Sequence, residues 1–270
     1  MYGAILGDMI GAPYEFDRGN KSKDFILFDP RKLVRYTDDT AMTLAIAKGI
    51  MTVGTDSDEV TMKKAFITCM QDIGNRYAVR DYGGMFARWL RLPNPQPYNS
   101  FGNGAAMRVS AIGWSFDSLE MTKEVARWSA EISHNHPEGI KGAESIASAI
   151  YMARTGSSKG EIKKYIVENY GYVFSRTLDD IRPTYHHVES CQETVPEALT
   201  AFFEGTDFED VIRNAVSLGG DCDTLTCIAG SVGEAMYGVP DEMKKECESR
   251  LPEEFLGIMT DFEQYKIGAK

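Results

Sequence analysis

Thr37-Asp38-Asp39-Thr40-Ala41-Met42-Thr43-Leu44-Ala45-Ile46-Ala47-Lys48-Gly49-Ile50-Met51-Thr52-Val53 is the stretch that decides how this chain is read. Over residues 40–53, Ala41, Met42, Ala45, Ile46 and Ile50 recur at helical spacing, so one side of a helix is apolar. Asp and Thr are favoured at helix starts, where a carboxylate also complements the helix dipole. A single cap needs a single acceptor, however. Two adjacent carboxylates flanked by hydroxyls exceed that need.

The same period runs outward in both directions. Residues 57–73 read as a helix with a D-x-x-E start at Asp56 and Glu59, a stripe of Val60, Ile67, Met70 and Ile73, and a stop at Gly74. Residues 83–91, 104–115 and 119–132 follow. Pro137 suits the first turn of a helix reaching about Arg154. Ser158 and Glu161 form a capping-box pattern for a helix ended by Gly171. Pro196 opens another, and Asp207 with Asp210 the next. The Ala- and Gly-rich run 223–237 stops at Gly238 and Pro240, and 241–250 and 252–265 complete the set. Phe25-Ile26-Leu27-Phe28 is the best strand candidate. Residues 16–36 and the proline-rich 93–103 read as loops. No Ser/Gly linker or composition shift divides the chain. The expectation is one all-α domain over residues 1–270.

Of 270 residues, 43% are hydrophobic and 26% charged, which excludes wholesale disorder. The formal net charge is −11, without clustered Lys or Arg, so a nucleic-acid partner is disfavoured. A phosphate-bearing ligand would need local help from cations, arginines or backbone N–H groups. The five cysteines make no C-x-x-C pair, which fits reduced thiols packed as small hydrophobes. The N-terminal apolar run has no basic start and is broken by Asp8, and no stretch is apolar long enough to span a bilayer. A soluble, cytoplasmic protein with no membrane partner is expected; oligomeric state is not legible.

A second acidic cluster, Gly219-Gly220-Asp221-Cys222-Asp223-Thr224, repeats the excess of carboxylates at a helix start. If the two clusters meet, four carboxylates converge, and such a group stays ionised only with cations. Hard divalent ions are the natural neutralisers: magnesium, or manganese by the same oxygen preference. Glu15 reads as a further ligand, a base, or a surface acid, and Asp8 as structural. Phe101-Gly102-Asn103-Gly104-Ala105-Ala106-Met107-Arg108 offers small residues whose N–H groups suit a phosphate. Arg108 either pairs with the acids or packs structurally. Ser133-His134-Asn135-His136-Pro137-Glu138 holds two of the four histidines and reads as a substrate-positioning or hydrogen-bonding turn, with zinc excluded for want of ligands. His186 and His187 read as surface residues.

Taken in order, G-D-x-x-G-x-x-x-E, T-D-D-T-x-M, G-N-G-A-x-M-R, S-H-x-H-P and G-G-D-x-D-T resemble the ADP-ribosylglycohydrolase family, from Gly7 to about Gly238. The resemblance implies an all-α fold and a site for two magnesium ions, with ligands at Thr37, Asp38, Asp39, Asp221, Asp223 and Thr224. The family glutamate falls on Glu15. Gly102, Asn103, Gly104, Ala105 and Met107 would hold the diphosphate and distal ribose, and His134 would line the substrate cleft. Ser110 and Ser133 stand where the family often has Pro and Thr. The implied activity is hydrolysis of the glycosidic bond between ADP-ribose and an acceptor, a protein side chain such as arginine or a small conjugate. Asp38, Asp39 or Glu15 would be the base. A magnesium phosphohydrolase, or a catalytically silent ADP-ribose-binding module, is the competing reading.

Overall fold

The computed structural model describes residues 1–16, 21–79 and 81–268. Among them are fifteen α-helices and no strand. Chain order runs α1 (Tyr2–Gly11), α2 (Asp38–Val53), α3 (Glu59–Gly74), α4 (Gly84–Trp89) and α5 (Gly104–Met107). It continues through α6 (Ser110–Ser115), α7 (Leu119–Glu131), α8 (Pro137–Arg154), α9 (Lys159–Tyr170) and α10 (Leu178–Ile181). Then come α11 (Cys191–Glu204), α12 (Phe208–Val216), α13 (Cys222–Tyr237), α14 (Asp241–Glu248) and α15 (Glu253–Gly268). The all-α reading holds. One contiguous apolar cluster runs from Met1 to Phe262.

Several helix starts follow from local chemistry. Ser158 accepts from the Glu161 N–H while Glu161 returns to the Ser158 backbone, and Gly171 closes the helix in the left-handed region at φ 68°. Asp207 accepts from the Asp210 N–H at 2.8 Å to start α12. The D-x-x-E pattern at Asp56 proves displaced, for the cap of α3 is Asp58, which accepts from the Thr61 N–H at 2.8 Å. The α3 stripe shifts with it. Met62, Phe66, Met70 and Ile73 are buried, whereas Val60 is 77% exposed.

Three other expectations are corrected. Phe25–Phe28 forms no strand; its rings lean on the core from a coil. Pro196 does not open α11 but sits inside it. The proline costs only the bond to the Gln192 carbonyl, at the solvent-exposed first turn. Residues 104–115 split into α5 and α6. Of the loop over 16–36, residues 17–20 lie outside the described residues.

The centre is α1 lying along α13, with α8, α11 and α12 against α13 and α2 against α1, α3, α6 and α15. Gly3, Gly7 and Gly11 lie one turn apart on a single face of α1. A Cβ at these positions would come within 2.2 Å of the Gly230 carbonyl oxygen, 2.2 Å of the Thr226 carbonyl oxygen and 2.4 Å of the Cys222 carbonyl oxygen. Backbone meets backbone here, and nothing on the partner helix can swing aside. Gly7→Ala should therefore cost about 3 kcal/mol or more, by overpacking a rigid contact. Gly257→Ala, on α15 with open space around it, should gain about 0.5–1 kcal/mol. Urea unfolding checks both; equal stability of the two variants would remove the contact from its central place.

Candidate active site

Asp8, in the middle of α1, is fully buried and completes the start of α2. Its Oδ2 accepts from the Thr37 N–H at 2.8 Å, the Thr40 N–H at 3.1 Å and the Thr40 hydroxyl at 2.5 Å; its Oδ1 accepts from the Thr37 hydroxyl at 2.7 Å. Thr37 in turn caps α2 through the Asp39 N–H. Capping is thus done by Asp8 and Thr37. Asp38 and Asp39 are left over for other work.

The two acidic clusters meet. Thr224, on the first turn of α13, donates its hydroxyl to Asp39 Oδ2 at 3.2 Å across 185 residues of sequence. Gly219 and Gly220, at φ 68° and 74°, turn the chain through the left-handed region into Asp221, which a side chain at either position would oppose. Carboxylate oxygens of Asp8, Asp39 and Asp223 come within 4.8 Å of one another, and so do those of Glu15, Asp221 and Asp223. The groups share Asp223. Asp38 belongs to neither trio; it lines the same cavity as Asp221 and Asp223.

Burial raises Asp8, Asp38, Asp39, Asp221 and Asp223 above the ordinary carboxylate range. It lifts Asp8 to about 6 and Asp221 to about 7. Asp38, Asp39 and Asp223 are pushed well up, first by burial and then by the charge of neighbouring acids, Asp223 for the first two and Asp221 for the third. No lysine or arginine pairs with any of the five among the described residues. The nearby Arg35 is committed to Asp81, in two bonds of 2.7 and 2.8 Å. Asp39 Oδ1 is buried without a hydrogen-bond partner. An all-oxygen set of carboxylates, with an orphaned oxygen and no paired cation among the described residues, fits a hard divalent ion.

Asp38, Asp221, Asp223 and Glu15 line a cavity of about 460 Å³, and so do residues of the 98–104 loop, His134 and Glu189. Asn103 ties this loop to the acids, donating to Asp221 Oδ2 at 2.6 Å and to the Thr194 hydroxyl at 3.1 Å. The loop is clamped by Asn103 N–H to the Glu189 carbonyl, 2.8 Å, and Cys191 N–H to the Phe101 carbonyl, 2.9 Å. Gly102, Asn103, Gly104, Met107 and His134 line the cavity; Ala105 is fully buried and does not. The N–H groups of residues 102, 103, 105, 106 and 107 are already engaged within the protein, so the expected row of open donors reduces to Gly104. Thr37 and Asp39 lie buried behind the lining, and Asp38, Asp221, Asp223, Thr224 and Glu15 face it. An adjoining hollow of about 290 Å³ holds Lys32, Arg35 and Asp81.

Other residues depart from expectation. Arg108 lines the cavity but touches no acid; it donates to the Ser129 carbonyl at 2.6 Å and the Ser133 hydroxyl at 2.9 Å, and burial pulls its pKa down to about 10. His187 also lines the cavity, stacked on Phe16 at 5.0 Å. His136 is structural, accepting from the Glu138 N–H at the start of α8. Phe86 and Tyr98 pack around the His134 ring at 6.0 and 5.7 Å; no motif marked either one.

The family model for ADP-ribosylglycohydrolase matches residues 1–266. The chain belongs to the ADP-ribosylglycohydrolase family. It is accordingly a hydrolase of glycosyl bonds. The chain is 27% identical to "ADP-ribosylhydrolase ARH3" of Homo sapiens, over 91% of this chain and 87% of that protein. It is 26% identical to "ADP-ribosylarginine hydrolase Tri1" of Pseudomonas putida (strain GB-1), over 88% and 70%. A solved structure titled "ADP-ribosylglycohydrolase-related protein complex" shares the fold at a TM-score of 0.64 and 23% identity, over 99% of this chain and 93% of that one. No described helix is long and apolar enough to cross a membrane.

The cavity histidine yields a pH prediction for this glycohydrolase. Burial first, and then the Arg108 charge, hold His134 well below the ordinary imidazole value of 6.5. The fold keeps the ring neutral, while the unfolded chain protonates it as pH falls through about 6.5. Its contribution to stability is complete above that pH and is lost below it, at up to about 1.4 kcal/mol per pH unit. The raised carboxylates act in the opposite sense, losing their contribution as pH rises. Subtracting His134→Gln from wild type isolates the histidine. The variant's urea midpoint should fall less steeply between about pH 7 and about pH 5. Parallel curves would mean the ring is charged in the fold.

Proposed function

We propose that this enzyme hydrolyses the glycosidic bond between ADP-ribose and an acceptor, an arginine or other protein side chain or a small conjugate, and that it needs magnesium. The observation that carries this reading is a set of five buried carboxylates without a paired cation among the described residues. Three of them, Asp38, Asp221 and Asp223, line a cavity that the Gly102–Gly104 loop and His134 line as well. Thr37, Asp38, Asp39, Asp221, Asp223 and Thr224 would hold two magnesium ions, and the position of Asp8 and Glu15 in the two trios adds them to the candidates. Manganese would satisfy the same oxygens. Magnesium there would supply a Lewis acid that orients ribose hydroxyls and makes a neighbouring water more acidic.

The remaining chemistry belongs to side chains. Loss of the acceptor leaves positive charge on the ribose ring, as in other glycoside hydrolyses. Asp38 and Glu15 face the cavity, so either can remove a proton from the attacking water and present negative charge to the ring. Asp39 is screened from the cavity and is better suited to holding a cation than to accepting that proton. Asn103, fixed by Asp221 and Thr194, orients the ribose, and the Gly102–Met107 loop with His134 receives the diphosphate. The adjoining hollow at Lys32, Arg35 and Asp81 takes the acceptor.

Asp223→Asn, which removes the acid common to both trios, should lose bound magnesium and lower turnover by roughly a thousandfold, with the loss in kcat. Calorimetric magnesium binding and release of ADP-ribose from an arginine-modified peptide, with and without magnesium, measure this. A variant retaining magnesium-dependent release would sink the metal assignment. Release of inorganic phosphate instead would support a phosphohydrolase, and tight ADP-ribose binding without turnover a silent binding module.

A further inference from the structure

Arg108 is fully buried, has no carboxylate partner and cannot shed its proton. Its guanidinium can only donate, so the Ser133 hydroxyl oxygen, 2.9 Å away, accepts from it. The Ser133 hydroxyl proton then needs an acceptor of its own, and His134 Nδ1 stands at 2.8 Å. The reverse arrangement, with Nδ1 donating, would leave that buried hydroxyl proton without an acceptor among the described residues, at a cost comparable to a lost hydrogen bond. Nδ1 is therefore the unprotonated nitrogen, and a neutral ring carries its proton on Nε2.

Nε2 has a defined place. A Cβ at Gly104 would lie 3.3 Å from it and one at Gly102 3.5 Å, so it stands over the cavity loop. The ring cannot turn away, with Phe86 and Tyr98 packed around it and its backbone N–H bonded to the Ala130 carbonyl at 2.6 Å. Asp38, Asp221, Asp223 and Glu15 repel an anionic group, so within this cavity such a group needs a donor like the one Nε2 offers. With most of the loop's N–H groups engaged, an imidazole N–H at Nε2 supplies a side-chain donor beside the loop.

We propose that Arg108 and Ser133 are positioning residues for His134: Arg108 orients the Ser133 hydroxyl onto Nδ1, and the ring thereby presents Nε2–H to an anionic oxygen of the substrate's diphosphate. The identity of that oxygen rests on the proposed ADP-ribosyl substrate; the tautomer does not. Ser133→Ala removes the link with a small change of volume. Ser133→Thr keeps the hydroxyl.

The experiment uses the full chain in excess magnesium with free ADP-ribose as the probe. Nitrogen NMR of histidine-labelled protein, with His134 assigned by His134→Gln, should show Nε2 protonated and Nδ1 bare. Calorimetry should show ADP-ribose binding about tenfold weaker in Ser133→Ala, restored to within about twofold in Ser133→Thr. Arg108→Met should add nothing further to Ser133→Ala in the double variant. Protonated Nδ1 in the wild type, or unchanged ADP-ribose affinity in Ser133→Ala, overturns the relay. Failure of the wild type to bind ADP-ribose would instead overturn the substrate reading, while the nitrogen spectrum still decides the tautomer.

Discussion

Everything at the centre of this enzyme depends on how closely α1 can approach α13. Three glycines on one face of α1 let its backbone meet the carbonyls of Cys222, Thr226 and Gly230. That approach carries Asp8 against the first turn of α2 and brings the first turn of α13 against Asp39. A side chain at any of the three glycines would force the helices apart and separate the two acidic clusters. The metal-type geometry is thus a consequence of helix packing, and the cost of forcing acids together is met by a large buried core.

The cavity brings unlike groups together. Its acids are pushed toward neutrality by burial, and a divalent ion would restore them to charge. Arg108 and a histidine that burial keeps neutral line the same space. The chain as a whole is strongly acidic and would repel a diphosphate at long range. Any attraction for such a ligand is therefore local, and the proposed substrate offers ribose hydroxyls and phosphate oxygens to the unlike groups of this one cavity.

Much of this was legible beforehand, and the failures have causes. Amphipathic helices such as α8 and α9 announced themselves through period and caps. The α1 segment did not, because it is buried on nearly every side and so has no polar face to set a period. Its one charged residue, Asp8, interrupts an apolar run and reads as structural, but the helix it anchors, α2, is remote in sequence and has no local signal pointing back to it. Pro196 misled because a proline near a helix start is tolerated beyond the first position when the lost acceptor faces water. Phe25–Phe28 has strand composition but no neighbouring strand to pair with, and its aromatic rings pack onto helices instead. The acidic motifs and His134 could be found because they are contiguous in sequence. Tyr98 and His187 reach the cavity from loops and Phe86 from the short helix α4, placements set by tertiary packing that no local pattern encodes.

The question of whether Asp38 and Asp39 are merely caps is answered by counting acceptors against donors. The exposed start of a helix offers a few unpaired N–H groups. Here Thr37 and the remote Asp8 take those of residues 37, 39 and 40. A structural role for Asp39 would require its second oxygen to find a partner, yet that oxygen is buried and bare. Evolution toward stability alone would replace such an acid by an amide or a small apolar residue, since an uncompensated buried charge destabilises the fold. Its presence beside Asp223 therefore argues for a ligand whose binding repays that cost, and clustered carboxylate oxygens are the donors a hard cation prefers.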